Sequence, residues 1–273
     1  MQKKYPSKLM LFGEYAVIAG GEGLAVPYPA YTAMWMINTE SVSTYKPHLI
    51  KFCNWLFENG FETQLNVNSF SYDLQHGLDL VSNVPIGYGV GSSGVVVAAV
   101  FDKYAIQIPD TLATLKMELA AMENYFHATS SGLDPLVCYL NKAIHVHPQG
   151  INIIESNFEL KKLKLNLIDC GASRSTQQMV TAFNNCMLNA NFADTIQQYI
   201  QISNDCIASW LAADEDGLIM QLQKLSALQY NNFEFAIPAH MRERWHAGLT
   251  SGKEFIKLCG AGGGGFLIAF EVQ

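Results

Sequence analysis

Residues 85–94 read PIGYGVGSSG, four glycines and two serines that run directly into an apolar helix-like stretch. A turn of this kind at a helix N-terminus presents free backbone N–H groups at the positive end of the helix dipole, where anions bind. Glycine has no side chain, so phosphate oxygens can approach these N–H groups closely. The segment therefore predicts a phosphate-binding loop. It is not a Walker A motif, because no lysine follows the last glycine.

Residues 122–136, MENYFHATSSGLDPL, carry two carboxylates with a spacing that suits phosphoryl transfer. Glu123 lies near the end of a predicted helix over residues 110–126, and Asp134 begins the next helix. The short polar loop between them can bring both carboxylates to one place. Phosphoryl transfer needs a Mg²⁺ ligand and a carboxylate that orients the attacking hydroxyl or accepts its proton. Taken singly, each residue also fits an ordinary role, as a solvated helix residue or a helix cap.

Two further segments carry chemistry-bearing residues. KLCGAGGGGFLIAF, residues 257–270, places five glycines before a predicted strand, which indicates close backbone approach to a ligand or to the first glycine loop. SKLMLFGEYAV, residues 7–17, brings Lys8 and Glu14 close to the start of the chain.

Two alternatives follow from the same residues. Gly89, Gly91 and Gly94 satisfy a GxGxxG pattern with Asp110 21 residues after Gly89, which is the spacing of an NAD-dependent oxidoreductase. Asp110, however, follows a proline and opens a helix better than it closes a strand. A non-catalytic sensor that kept a nucleotide-binding fold is the second alternative.

A possible metal pair lies in the sequence AIHVH. His145 and His147 fall on one face of a predicted strand. Without a third ligand, surface or packing roles are favoured for both.

The chain resembles the GHMP kinases through four segments that occur in family order and span essentially its whole length. They are SKLMLFGEYAV, PIGYGVGSSG, ENYFHATSSGLD and KLCGAGGGG. The E-x-x-x-H…S-G-x-D run is most like that of the mevalonate kinase branch. This order of motifs is far more specific than any single glycine pattern.

The resemblance implies an α+β, two-domain GHMP kinase fold. Residues 1–155 would form the N-terminal ATP-binding domain, similar to domain 2 of ribosomal protein S5, and residues 156–273 a ferredoxin-like C-terminal domain. The implied reaction is ATP- and Mg²⁺-dependent phosphorylation of the 5-hydroxyl of mevalonate in isoprenoid biosynthesis, by direct in-line transfer. Phosphomevalonate or a sugar stays open as the acceptor.

The resemblance also implies roles for individual residues. Asp134 would act as the base, and Lys8 would polarise the substrate hydroxyl. Ser93 and Glu123 would hold Mg²⁺. The residues expected to bind the nucleotide are Gly87, Gly89, Gly91, Ser92, Ser93, Gly260, Gly262 and Gly263, with residues 260–264 packing against the phosphate loop. The residues expected to bind the substrate are Glu14, His127, Arg174 and Thr176.

The chain departs from the family pattern at several positions and so leaves the acceptor less defined than the kinase chemistry. These positions are Ser7, where Gly is common, Tyr15 in place of a frequent His, Gly94 in place of Ala, Ala128 in place of Gly, and Cys259 in place of Thr.

The amino-acid composition limits the kinds of molecule that the protein is expected to bind. The chain has 273 residues, a formal net charge of −7 and no basic stripe, which argues against nucleic acid as a partner. Its six cysteines are widely spaced, which predicts free thiols in a reducing compartment. No signal peptide and no membrane-length apolar run is recognised, so a cytoplasmic location is expected. The expected partners are a small-molecule substrate and a second copy of the chain in a homodimer.

Overall fold

The computed structural model describes residues 2–37, 45–127, 129–155, 160–171 and 176–273. It combines helices with sheets, as the predicted α+β class requires. The strands are β1 (Tyr5–Phe12), β2 (Gly23–Ile37), β3 (Leu78–Ser82), β4 (Ala143–His147), β5 (Gly150–Ile154), β6 (Leu163–Asp169), β7 (Glu254–Leu258) and β8 (Phe266–Val272). The helices are α1 (Lys46–Glu58), α2 (Val67–Gln75), α3 (Ser92–Tyr104), α4 (Leu112–Glu123), α5 (Leu133–Leu140), α6 (Thr176–Met187), α7 (Ala190–Leu211), α8 (Glu215–Asn232) and α9 (Arg242–Ser251).

Two compact units share the chain, and each takes three separate segments of it. Unit 1 comprises Met1–Lys8, Val26–Pro85 and Gly91–Ala143; unit 2 comprises Leu9–Ala25, Ile86–Val90 and Ile144–Gln273. Each unit is a set of residues that contact one another in three dimensions. The boundary predicted between residues 155 and 156, in contrast, divides the chain at one point of the sequence. That boundary stays a prediction.

The core of unit 1 is built around α3. This helix is apolar on every side, and its residues from Gly94 to Phe101 are all buried, which is the pattern of a helix surrounded by protein. Trp35 of β2 packs against it and donates its indole N–H to the carbonyl oxygen of Ala99 at 3.2 Å. Strand β3 pairs antiparallel with the later part of β2. Helix α5 packs against α3. Both helices, including their N-termini, lie in unit 1.

Unit 2 contains an antiparallel sheet of order β6-β8-β7. Helices α8 and α9 pack on β7, and α7 packs on α8. Trp245 of α9 is fully buried and donates its indole N–H to the hydroxyl of Ser226 at 2.8 Å. A second sheet has the order β1-β2-β4-β5, with β3 also paired to β2. Within unit 2, β4 pairs antiparallel with the start of β2.

Most of the elements expected from hydrophobic periodicity are present. The helical spacing in YKPHLIKFCNWLFENG, which stops at Gly60, predicts a helix that is confirmed as α1. The strand pair predicted in AIHVHPQGINIIES across Pro148–Gly150 is confirmed as β4 with β5. Other elements differ from their predicted bounds. LAVPY and YTAMWMIN predict two strands, but they form one strand, β2. The apolar run after the glycine loop predicts a helix over residues 94–106, but α3 begins at Ser92.

The cap predicted for α4 was wrong. Thr111, and not Asp110, is the N-cap, because its hydroxyl accepts the N–H of Thr114 at 3.1 Å. The helix ends at Glu123 rather than at residue 126. Helix α2 and strand β7 were not predicted as separate elements.

The cysteines are free thiols, as predicted; five are buried and Cys186 is half-buried. Within the described residues, the helices that reach membrane-spanning length are too polar to cross a bilayer.

Candidate active site

The centre of the candidate site is an ion pair between Lys8 and Asp134 in unit 1. Lys8 Nζ lies 2.9 Å from Asp134 Oδ1. The lysine side chain is 6% exposed and the aspartate side chain 32% exposed, so the amine is buried while the carboxylate still has open surface. Lys8 comes from buried strand β1, and Asp134 from the first turn of α5, where the helix dipole favours an anion.

The end of the predicted phosphate loop lies directly beside this pair. Gly91 is the N-cap of α3 and has a φ of 75°, in the left-handed region that favours glycine. A Cβ added at Gly91 would lie 2.9 Å from Lys8 Cγ and 3.5 Å from Asp134 Oδ2. A glycine at position 91 therefore lets the backbone pass next to both charged side chains. Ser92 and Ser93 follow in the first turn of α3.

A second group of polar side chains in unit 1 surrounds Glu123. Glu123 is the last residue of α4 and is 3% exposed. The hydroxyl of Ser93 donates to its Oε1 at 2.7 Å, and the hydroxyl of Ser130 donates to its Oε2 at 2.5 Å. Each oxygen of this buried carboxylate thus has one hydroxyl donor.

Burial, and after it the negative charge of Asp134, raise the pKa of Glu123 to about 7. The hydrogen bonds from Ser130 and Ser93 and the charge of Lys8 act the other way, since each favours the ionised form. A cation bound beside Glu123 would favour the ionised carboxylate and so lower its pKa.

His127 contacts the same group. Its Nε2 lies 3.1 Å from the hydroxyl oxygen of Ser93. When Glu123 is ionised, the hydroxyl of Ser93 donates its single proton to that carboxylate, and Nε2 of the neutral ring then donates to Ser93. Desolvation lowers the pKa of His127, which favours this neutral ring.

The donor set around Glu123 fits Mg²⁺. A carboxylate oxygen and a hydroxyl oxygen are the hard ligands that Mg²⁺ prefers, and this ion usually takes one or two carboxylates together with phosphate oxygens and waters. Groups of three or more histidine, cysteine, aspartate or glutamate residues that could hold a metal by themselves do not occur among the described residues. His145 Nε2 lies 2.6 Å from Glu22 Oε2, and His147 contacts Gln149 and Asn152, so both rings have side-chain partners.

The glycine-rich turn between β7 and β8 approaches the first glycine loop within unit 2. Phe266 N–H donates to the carbonyl oxygen of Tyr88 at 3.2 Å, and a Cβ added at Gly265 would lie 2.6 Å from Tyr88 Cα. At the other end of the turn, Cys259 Sγ lies 4.0 Å from the carbonyl oxygen of Gly89. These contacts to the loop therefore come from the flanks of the predicted segment 260–264.

Inside the turn, the glycines accommodate other neighbours. A Cβ added at Gly262 would meet Ala236 and Leu258, and one at Gly263 would meet Met179. Gly87, Gly89, Gly260, Gly262 and Gly263 all have φ between 65° and 81°, so the backbone at each requires the left-handed region.

Glu14 lies in the interior of unit 2, and its side chain is 1% exposed. Lys257 donates to its Oε1, and the hydroxyl of Tyr199 donates to its Oε2 at 3.3 Å. Gln229 in turn donates to the oxygen of Tyr199 at 3.3 Å. A substrate contact by Glu14 would have to replace this ion pair. Sequence reasoning missed Lys257 as its partner, although a single lysine in the apolar run EFIKLC was a signal.

The remaining predicted substrate residues are less informative. Thr176 is the first residue of α6 and is exposed. Arg174 lies outside the described residues, as does the departure at Ala128. Of the other departures, Tyr15 is buried and donates its hydroxyl to the carbonyl oxygen of Ala261 at 2.6 Å, and Ser7 donates to the carbonyl oxygen of Tyr28 at 3.0 Å.

Two curated relatives match the chain along nearly all of its length. The mevalonate kinase of Thermococcus onnurineus is 24% identical over 313 aligned positions, which cover 98% of this chain and 88% of the relative. The mevalonate kinase of Pyrococcus abyssi is 25% identical and covers 97% of this chain and 86% of its own. The chain matches no family model.

Solved structures of the same group share the fold. The L. major mevalonate kinase in complex with R-mevalonate has a TM-score of 0.69 at 18% identity and covers 100% of this chain and 87% of its own. The Streptococcus pneumoniae phosphomevalonate kinase in complex with phosphomevalonate and AMPPNP has a TM-score of 0.66 at 16% identity, with 100% and 92% covered. In sequence and in fold, this chain resembles the GHMP kinases, and the mevalonate kinases in particular.

Proposed function

We propose that this chain is a mevalonate kinase-like enzyme that transfers the γ-phosphoryl group of ATP to the 5-hydroxyl of mevalonate. The observation that carries the proposal is the Lys8–Asp134 ion pair beside the backbone of Gly91. A base and a cation next to a glycine-led helix N-terminus are what transfer to an alcohol requires.

The nucleotide phosphates would be bound by the loop that ends at α3. Gly87, Gly89 and Gly91 leave its backbone accessible, and Ser92 lies at the helix N-terminus, where N–H groups and the helix dipole favour anions. Gly260, Gly262 and Gly263 stay predicted nucleotide-binding residues on the strength of the motif KLCGAGGGG. The similarity to kinases, one of them solved with AMPPNP, supports ATP as the donor.

In the proposed reaction, Asp134 accepts the proton of the substrate hydroxyl while the oxygen attacks the γ-phosphorus in line. Lys8 offsets the negative charge that develops on that oxygen and on the transferring group. The partly exposed carboxylate and the buried amine suit these roles, since the carboxylate can reach a substrate while the amine keeps its position.

Ser93 and Glu123 would hold Mg²⁺, which supplies charge neutralisation at the phosphates when bound. Ser93 Oγ and Glu123 Oε1 already lie 2.7 Å apart, so these two ligand atoms would not have to be brought together when the ion binds.

The oxidoreductase alternative has little support. The Rossmann fingerprint places an acidic residue at the end of the second strand, where it binds the ribose. Here Asp110 is exposed and directly precedes the N-cap of α4, and α3 is followed by α4 and α5 without an intervening strand. A pure sensor would not need Lys8 and Asp134 to be paired.

The acceptor is the finer part of the proposal. Similarity to proteins named mevalonate kinase favours mevalonate. One neighbour was solved with phosphomevalonate, and another, a Lactococcus lactis galactokinase, with galactose, so phosphomevalonate and sugars are the alternatives to test. The S5-like and ferredoxin-like domain types, the homodimer and the cytoplasmic location stay predictions.

The deciding experiment combines an acceptor screen with one variant. ADP release is measured with mevalonate, phosphomevalonate and common sugars, for wild type and for Asp134→Asn. We expect turnover with mevalonate, and a kcat about 10² to 10⁴ times lower in the variant with KM for ATP nearly unchanged.

The N-cap of α5 is Gly132 and not Asp134, which lies within the first turn. Asn keeps the size of Asp but removes its charge, so the melting temperature of the variant serves as the control for folding. An active, equally stable variant would show that Asp134 is not the base. Turnover with a sugar but not with mevalonate would reject the proposed acceptor.

A further inference from the structure

Ser130 has contacts that the proposed reaction does not use. It lies half-buried in the loop between α4 and α5, and its hydroxyl donates to Glu123 Oε2 at 2.5 Å. Ser93 donates to the other oxygen, Oε1, at 2.7 Å. Two donors, one on each oxygen, fix the plane of this carboxylate.

The backbone around Ser130 holds its hydroxyl in place. Its N–H donates to Asn124 Oδ1 at 2.9 Å, and its Oγ accepts the N–H of Gly132 at 2.9 Å. A serine hydroxyl has a single proton. Because the contact with Gly132 uses an oxygen lone pair, that proton is committed to Glu123.

The two hydroxyls on Glu123 therefore differ in function. Ser93 is itself a proposed metal ligand, whereas Ser130 contacts the oxygen on the opposite side of the carboxylate. Glu123 is 3% exposed, so water cannot readily replace a lost donor at Oε2. Without Ser130, the carboxyl group would turn towards its remaining partners, and Oε1 would lose its fixed orientation beside Ser93.

We propose that Ser130 is a positioning residue that anchors Glu123 through Oε2 and thereby keeps Oε1 directed at the metal site beside Ser93. The inference rests on the proposed function, since it assigns Ser130 to the metal site of that reaction. It also couples the end of α4 to the start of α5, because Ser130 contacts both Glu123 and Gly132.

Binding of Mn²⁺ to the protein in the presence of ADP, followed by electron paramagnetic resonance without any acceptor, tests the proposal directly. Mn²⁺ takes the same oxygen ligands as Mg²⁺. Ser130→Ala should weaken Mn²⁺ binding by about tenfold or more, the usual effect of losing a partner that orients a metal ligand. Ser130→Thr, which keeps the hydroxyl, should bind Mn²⁺ within about threefold of wild type.

Ser251→Ala is the matched control. The hydroxyl of Ser251 also donates once and accepts the N–H two residues later, but both partners are backbone groups, Gly248 O at 3.1 Å and Lys253 N at 3.3 Å. This variant should keep wild-type Mn²⁺ affinity. If Ser130→Ala does not fold, Ser130→Cys, with a similar volume and a weak donor, should show the loss instead.

Wild-type Mn²⁺ affinity in folded Ser130→Ala or Ser130→Cys would overturn the proposal, as would an equal loss in Ser130→Thr. The proposed function can fail separately. If wild type does not phosphorylate mevalonate but Ser130→Ala loses Mn²⁺ affinity, Ser130 positions a metal ligand in an enzyme with another acceptor. If wild type is active and Ser130→Ala binds Mn²⁺ normally, the assignment of Ser130 alone is wrong.

Discussion

Glu123 shows how one residue can be unfavourable for stability and suited to its proposed role. Burial raises its pKa to about 7, against an ordinary value near 4.5, and the charge of Asp134 acts in the same direction. Lys8 and the two serine hydroxyls oppose this, and His127 faces the same group. The folded protein therefore binds a proton at Glu123 more tightly than the unfolded chain does.

A stability difference that depends on pH follows from this shift. Since the folded pKa is raised, the contribution of Glu123 is fully present below about pH 4.5 and is lost as pH rises through about 7. Without metal and nucleotide, Glu123→Gln should therefore exceed wild type in unfolding free energy by about 1 to 3 kcal/mol at pH 8, with the difference shrinking towards pH 4.5. Urea denaturation at both pH values measures it.

A stability difference for Glu123→Gln that is the same at pH 4.5 and pH 8 would contradict the assigned cause. The same variant should lower the Mg²⁺-dependent rate by at least about tenfold, because a charge-assisted contact is lost.

Lys8, Glu123 and Asp134 were recognisable in the sequence because their residue types fit the chemistry and their motifs occur in order. Ser130 was not singled out, because a serine in a polar loop is typical of turns, and only the fold places its hydroxyl against Glu123. Glu14 was recognised by its motif, but its partner was not. Lys257 lies 243 positions away in the chain, and local patterns carry no information about such a pairing.

Among the elements, the contact of α3 with α5 is controlled by Gly94. A Cβ added there would lie 2.8 Å from Asp134 C and from Pro135 N, and 3.0 Å from Asp134 Cβ. Distances under 3 Å to backbone atoms force one helix to move. Gly94 therefore allows α5 to place Asp134 where it meets Lys8.

Gly94→Ala should displace the backbone of Asp134 and lower kcat by about tenfold or more, with KM for ATP changed much less, because small shifts at a reacting group have large effects on rate. A melting temperature measured on the same preparation separates this effect from unfolding. Ala98→Gly, one turn further along α3, is the control for a change of helix propensity. Its kcat should be close to that of wild type. An unchanged kcat in folded Gly94→Ala would show that α5 adapts without moving Asp134.

The ion pair of Glu14 and Lys257 links the N-terminal segment of unit 2 to strand β7. Removing one partner of a buried pair leaves an uncompensated charge, so Lys257→Met should lower the unfolding free energy by about 3 to 5 kcal/mol. The double variant Glu14→Gln with Lys257→Met should recover most of this loss. A double variant as unstable as the single one in urea denaturation would indicate that the packing of Lys257, rather than its charge, is what stabilises the fold.

Hydrophobic periodicity predicted the amphipathic helices and the hairpin of β4 and β5 well, because one buried face repeats along each. It failed where tertiary contacts decide. Strand β2 continues through Pro29 and Ala30, the two residues that separate LAVPY from YTAMWMIN, although those segments predict two strands. Strand β7 was hidden because Lys257, a buried residue, interrupts its apolar run.

For the whole molecule, the proposed function predicts which cofactor stabilises the protein. Mg-ADP at about 100 times its Kd should stabilise the folded state by about 2.7 kcal/mol, which for a chain of this length raises the melting temperature by several degrees. NAD at the same concentration should have no effect. Thermal-shift titration compares the two, and stabilisation by NAD without stabilisation by Mg-ADP would favour a dinucleotide enzyme.

The interleaving of the two units along the chain has a consequence for synthesis on the ribosome. Every segment of unit 1 has been translated once Ala143 is added, but Leu9–Ala25 and Ile86–Val90 belong to unit 2, whose last segment ends at Gln273. At 5 to 20 residues per second, those about 130 remaining residues take roughly 6 to 26 s. Leu11 and Phe12 are fully buried in the folded protein. During this time their apolar side chains stay exposed, because residues that cover them, such as Trp210 and Phe270 around Phe12, have not yet been synthesised. Slower translation would prolong that exposure, so the yield of folded protein should depend on elongation rate and on chaperones that cover such segments.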